Sequence, residues 1–141
     1  MSRTDDGGRR PDGNAVVEEY VLDIRIVECR GADGNTRYRF EAPQHCGIDF
    51  ATAETARLYA AVYFDVNGFE EAGTGERGVP PAIIQAGRDT LVAYFLTMPG
   101  VEANWVASFY GEKPEKVHRY AQRVRKRAEA VRQGVRERGL G

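Results

Sequence analysis

Apolar and polar positions take turns through residues 19–42. In EYVLDIRIVECR (19–30), Tyr20, Leu22, Ile24 and Ile26 share one face, and in NTRYRFEA (35–42), Tyr38 and Phe40 lie opposite Arg37, Arg39 and Glu41. Side chains flip face at each residue of a strand, so both segments predict strands with one buried side. The GADG between them, with Asp33-Gly34 at its end, supplies a turn and makes the pair a hairpin. A lone hairpin is marginal in water, so the helices that follow are expected to cover it.

PQHCGIDFA (43–51) reads as loop, and beyond it the period changes. Thr52 is a helix cap with Glu54 in the favourable first turn. In TAETARLYAAVYFDVN the residues Leu58, Val62 and Val66, beside Tyr59 and Tyr63, predict a helix apolar over most of its surface, stopped by Asn67-Gly68. FEEAGTGERGV (69–79) reads as a flexible loop. Pro80 and Pro81 open the next helix, where a missing N–H costs nothing. PPAIIQAGRDTLVAYFLTM places Ile84, Leu91, Phe95 and Met98 on one side and ends at Pro99-Gly100. A shorter helix from Ala103 to Tyr110 carries Trp105, Val106 and Phe109, and Gly111 closes it.

The last helix, residues 114–136, has the clearest pattern. Val117, Ala121, Val124, Ala128, Val131 and Val135 form a heptad stripe, widened by Tyr120. At about 100° per residue, Glu115, Arg119, Gln122 and Lys126 point directly away from it. Lys116 and Arg123 flank them on one side, His118 and Arg125 on the other. The predicted fold is α+β: an N-terminal β-hairpin packed on about four α-helices. Residues 1–15, polar and rich in Gly, Asp and Arg, read as a disordered tail, and residues 16–141 as one domain.

Charge changes this picture. The chain of 141 residues carries a net −1, yet residues 112–141 hold ten Lys/Arg against four acids, a local +6 that leaves −7 for the remainder. A basic end on an acidic body suits a polyanion or an acidic protein surface. No apolar run nears the roughly 20 residues that span a membrane, and the N-terminus has no apolar signal core. Two cysteines make no disulfide framework, so a reducing, cytoplasmic setting is expected.

A heptad also raises a coiled coil. In a parallel pair, Arg127 would meet the partner's Arg132 with no acid to relieve the repulsion, and small Ala and Val bury little area. Packing on the chain's own helices is therefore expected, with a homodimer through another surface left open.

Ala107, Gly111, Val117 and Tyr120 repeat a known spacing: a small residue, a glycine four later, an apolar residue six beyond and another three further on. On these positions residues 103–125 resemble the generic helix-turn-helix of many transcription regulators. Two features depart from that pattern. Lys113 stands where the family has an apolar residue, and Glu112-Lys113 replaces a Ser or Thr cap. The resemblance implies that the second helix lies in a major groove, with Lys116, Arg119, Gln122 and Arg123 facing base edges and nearby phosphates. Arg125, Lys126 and Arg127 would then hold backbone. Arginine matches guanine and glutamine adenine, because each presents a suitable fork.

Other chemistry is thinner. GTGERG (73–78) matches G-x-G-x-x-G but lacks the preceding strand and following helix of a dinucleotide site. Cys29, His45 and Cys46 lack zinc spacing, no C-x-x-C exists, and nothing orients Cys29 or Cys46 towards His118 as a nucleophile pair. Asp23, Asp49, Asp65 and Asp89 read as solvated acids. Tyr59, Tyr63, Phe64, Tyr94, Phe95, Trp105, Phe109 and Tyr110 read as core. Tyr38 and Phe40 could stack single-stranded bases, but Arg37 and Arg39 point the other way. The expectation is a non-catalytic protein without cofactor or metal. It binds DNA (or RNA) through its basic helix, as a transcriptional regulator would. The alternative is a protein-interaction module that uses the same helix on an acidic partner.

Overall fold

Alternation in the first third of the chain builds more sheet than a hairpin. The computed structural model describes residues 14–43, 45, 47–69 and 79–139. Strands β1 (Ala15–Glu19), β2 (Arg25–Arg30), β3 (Thr36–Glu41) and β4 (Ile48–Phe50) form one antiparallel sheet in the order β1-β2-β3-β4. The β2–β3 hairpin is the expected one, with Ile26 opposite Phe40 and Cys29 opposite Arg37. Residues 19–30, expected as one strand, are instead two. Leu22 and Asp23 both take positive φ, and Ile24 N–H reaches Val21 O at 3.3 Å. This is a tight two-residue turn of the kind that ordinarily carries Asn-Gly. Leu-Asp gave no turn signal, and the apolar alternation runs straight through it. β4 lies in the segment expected as loop, where Ile48 pairs with Phe40 and Phe50 with Tyr38. β1 begins at Ala15, the last residue of the expected tail. The rest of that tail to residue 13, the GTGERG motif and Cys46 lie outside the described residues.

Helix α1 (Ala53–Asp65) crosses the inner face of the sheet. The Thr52 hydroxyl accepts from Thr55 N–H at 3.1 Å, which caps its first turn as expected. Tyr59 is the centre of the core. Its ring lies 5.0 Å from those of both Phe40 and Phe50 and 5.5 Å from Phe69. His45 packs on this aromatic group, 2.8 Å from the Tyr59 hydroxyl. Its Nδ1 accepts from Gly47 N–H at 2.9 Å, which leaves Nε2 to donate to Tyr59. Phe40 is buried here and is no platform for bases.

The helix expected to run from Pro80 breaks at Gly87 (φ 121°, ψ 171°), giving α2 (Pro81–Ala86) and α3 (Arg88–Phe95). Only glycine adopts that backbone readily, and an isolated glycine inside a helical pattern is a weak stop signal. The break rotates the first segment, so Ile83 is buried and Ile84 is 59% exposed. Helices α4 (Ala103–Tyr110) and α5 (Pro114–Glu137) have almost the expected bounds. The five helices and four strands of the described residues make an α+β fold. Among the described residues no helix is long and apolar enough to cross a membrane.

Candidate nucleic-acid interface

The corner between α4 and α5 follows from local chemistry. Gly111 takes a left-handed conformation (φ 68°, ψ 31°), and Glu112 N–H folds back to Ala107 O at 2.8 Å. Pro114 then opens α5 with a preset φ. Lys113 precedes it with no side-chain cap bond, as the absence of Ser or Thr implied. A Cβ at position 111 would meet nothing within 4 Å, so substitution there strains only the backbone. Gly111→Ala is expected to cost about 1–2 kcal/mol in denaturant-monitored stability. A loss below about 0.3 kcal/mol would show that the corner relaxes without the left-handed residue.

Apolar contact then fixes the angle between the two helices. Val106 and Ala107 of α4, Val117 and Tyr120 of α5 and Val92 of α3 form a small buried core apart from the main one. The small side chain of Ala107 lets the two helices approach. Val92 makes α3 the third member of the unit, which the two-helix pattern in the sequence did not reveal. Farther along the stripe, Ala121, Val124 and Ala128 join the main core, with Val131 and Val135 packed against it. The heptad seam is therefore covered by the chain's own α1, α3 and α4, as expected of small Ala and Val.

Seven side chains on α5 are candidates for nucleic-acid contact, and tertiary packing divides them. Arg119, Gln122, Arg123 and Lys126 are exposed on the outer face. Among the described residues Arg119 and Lys126 make no ion pair or hydrogen bond. Arg123 lies 5.6 Å and Lys116 5.9 Å from the centre of the Tyr120 ring. Lys116 also reaches Glu112 at 3.7 Å. Arg125 donates to Gln122 Oε1 at 3.2 Å and lies 3.8 Å from Glu54. These are loose, exposed contacts that a phosphate could replace at little cost. The exposed His118 stands beside them.

Arg127 is different. Its Nε and Nη2 donate to the two Asp65 oxygens at 2.7 and 2.9 Å, and its Nη1 donates to Asp89 at 2.9 Å. The Thr90 hydroxyl donates to Asp65 at 2.8 Å and lies 3.1 Å from Arg127 Nη2. The Asp65 side chain is only 5% exposed, so two acids expected to be solvated form a clamp that ties α5 to α1 and α3. Burial alone would push the Asp89 carboxyl up. The Arg127 hydrogen bond and charge, with the Thr90 N–H, outweigh it and hold the carboxyl below the usual carboxylate range. Hydrogen bonds from Asp65 and Asp89 likewise raise the Arg127 guanidinium, so it stays charged. A side chain held this way is a brace for the helix, although it remains 44% exposed.

Two of the three arginines of the last turns are also occupied. Arg132 sits over the Tyr20 and Phe64 rings at 5.0 and 5.1 Å and donates to Glu129 at 2.7 Å, and Arg136 donates to Glu129 at 3.2 Å. Among the described residues, the cations of α5 outside any ion pair are therefore Arg119, Arg123 and Lys126 on the side of the glycine corner and Arg138 at the far end. Cys29 is half-buried on β2, and burial, with the Asp49 charge, pushes its thiol up, the wrong direction for a nucleophile. Trp105 and Phe109, expected in the core, are 54% and 65% exposed on α4. Periodicity on an eight-residue helix gave no sign of which side would be covered.

No protein-family model, curated protein or solved structure matches the chain.

Proposed function

We propose that this chain binds nucleic acid without catalysing a reaction, with duplex DNA as its first target. The docking element is the first half of α5, and the unit of α3, α4 and α5 acts as a helix-turn-helix. One observation carries the reading. A packed corner braces α5 through Val106, Ala107, Val117 and Tyr120, while Arg119, Arg123 and Lys126 on its far side make no ion pair among the described residues. Packing and charge thus fall on opposite faces of one helix. A groove-docking helix needs that separation, since its buried side sets the angle and its open side meets the phosphates. Gln122 supplies the one uncharged fork on this face, suited to an adenine edge. The Asp65–Arg127–Asp89 clamp adds stiffness where the helix leaves α4.

Fluorescence anisotropy with a labelled random-sequence duplex tests this directly. The full chain is expected to bind at low salt, and three phosphate contacts would weaken binding roughly 10–100-fold between 50 and 200 mM monovalent salt. No binding at low salt would remove the proposal and leave the basic face to an acidic protein partner.

A further inference from the structure

We propose that the outer face of α4 docks on a second copy of this chain, helix against antiparallel helix. This inference stands on α4 and the charged residues on either side of it, and does not depend on nucleic-acid binding.

The first observation is the neutrality of the helix. Residues 103–110, ANWVASFY, contain no charge in a chain that is 29% Asp, Glu, Lys and Arg. Val106 and Ala107 face α5, and Asn104, Trp105, Ser108 and Phe109 face outwards. The Trp105 and Phe109 rings lie nearly parallel, 5.5 Å apart at 10°, and form a single apolar plate. Large aromatics exposed together mark a contact surface, and Trp and Phe are enriched in such surfaces.

The second observation is the opposite charge carried by the residues just before and just after this helix. Glu102 precedes Trp105 by three residues and Phe109 by seven, so it continues their stripe. Lys113 follows the other end of α4 by three residues, past the Gly111 corner, as the N-cap of α5. Both are exposed, and neither side chain has an ion-pair or hydrogen-bond partner among the described residues. A two-fold axis through the plate stacks aromatic on aromatic and brings Glu102 of each copy to Lys113 of the other. A parallel arrangement would oppose like charges at both ends. Contact through α5 would oppose Arg119, Arg123 and Lys126 with their own copies. The face of α4 is therefore where two copies approach without repulsion. A nucleic-acid strand fits it less well. Glu102 at the rim repels phosphate, and Arg88 and Lys116 are both drawn to Glu112, at 3.3 and 3.7 Å.

The area limits the affinity. Two partly exposed aromatics offer roughly 200–300 Å² per copy, well short of the ~800 Å² of a standard stable interface. The association should be weak and concentration-dependent.

Trp105 is the only tryptophan in the chain, so its emission reports on this face. Sedimentation equilibrium and tryptophan fluorescence of the full chain, without nucleic acid, from about 10 μM to 1 mM, are expected to show a monomer becoming a dimer with a blue shift. Phe109→Ser, with unchanged circular dichroism, should remain monomeric. Glu102→Lys and Lys113→Glu should each weaken the dimer about tenfold, and the double reversal should restore it. Four outcomes overturn the proposal. These are a monomer throughout, a dimer indifferent to Phe109→Ser, a double reversal no better than the single changes, or Trp105 quenched by duplex while the chain is monomeric.

Discussion

Replacing Arg127 with alanine is expected to destabilise the chain by about 2–3 kcal/mol. Removing one partner of a buried ion pair costs roughly 3–5 kcal/mol, mostly because the other charge is left uncompensated. Here Asp65 is buried, but the Arg127 side chain is 44% exposed, which lowers the expected figure. Urea unfolding measures it. A second change, Asp65→Asn, should recover part of the loss in the Arg127→Ala background, since a neutral amide tolerates that site better than an unpaired carboxylate. The clamp also gives a direction with pH. The Asp89 carboxyl is depressed in the folded state. Its contribution is therefore complete above the unfolded carboxylate value near ~4 and is lost as pH falls through the lower folded value. Arg127→Ala should flatten this acid limb. Nucleic-acid affinity, measured where the variant is fully folded, should hardly change, because the guanidinium is already neutralised by Asp65 and Asp89. A variant as stable as the parent would reduce the clamp to a surface pair.

The double change Arg119→Ala with Arg123→Ala is expected to weaken duplex binding about 10–100-fold and to lower the salt slope by nearly 2, about 0.9 for each phosphate no longer neutralised. Both side chains are exposed and neither holds the fold, so thermal stability should stay within about 0.5 kcal/mol of the parent. The matching control is Arg136→Ala with Arg138→Ala, equal in charge removed but at the far end of α5. If docking uses the first half of the helix, this pair changes affinity only a few-fold. Equal losses from the two pairs would mean that the helix acts as diffuse positive charge with no defined docking face.

The cationic face and the plate of Trp105 and Phe109 sit on different helices of one unit, so a two-fold contact through α4 leaves both α5 faces open. Gly111 joins the two surfaces, and its left-handed backbone sets how one is presented relative to the other.

The elements legible from sequence are those set by neighbours within a turn or two. Thr52 caps α1 because its hydroxyl needs only Thr55 N–H three residues away. Asn67 and Gly68 stop that helix, and both take positive φ. Gly111 and Pro114 place the α4–α5 corner, and the Val/Ala stripe of α5 names its buried side, because a 3.6-residue period leaves little choice of face over 24 residues. Short segments were less legible. β4 has three residues, too few for a period. The Leu22-Asp23 turn has no glycine, and Gly87 breaks a helix whose apolar residues alone suggest continuity.

By itself, then, the sequence determined the class of fold, the helix–corner–helix at the carboxyl end and the split of α5 into an apolar and a cationic side. These depend on dihedral preference and period, which act along the chain. Only the tertiary structure decided which cations remain free and which aromatics remain uncovered. Arg127 meets Asp65 and Asp89 across 62 and 38 residues of chain, and Val92 closes the small core that leaves Trp105 and Phe109 outside it. Such pairings arise when distant elements pack, and no local pattern records which partner a side chain will find.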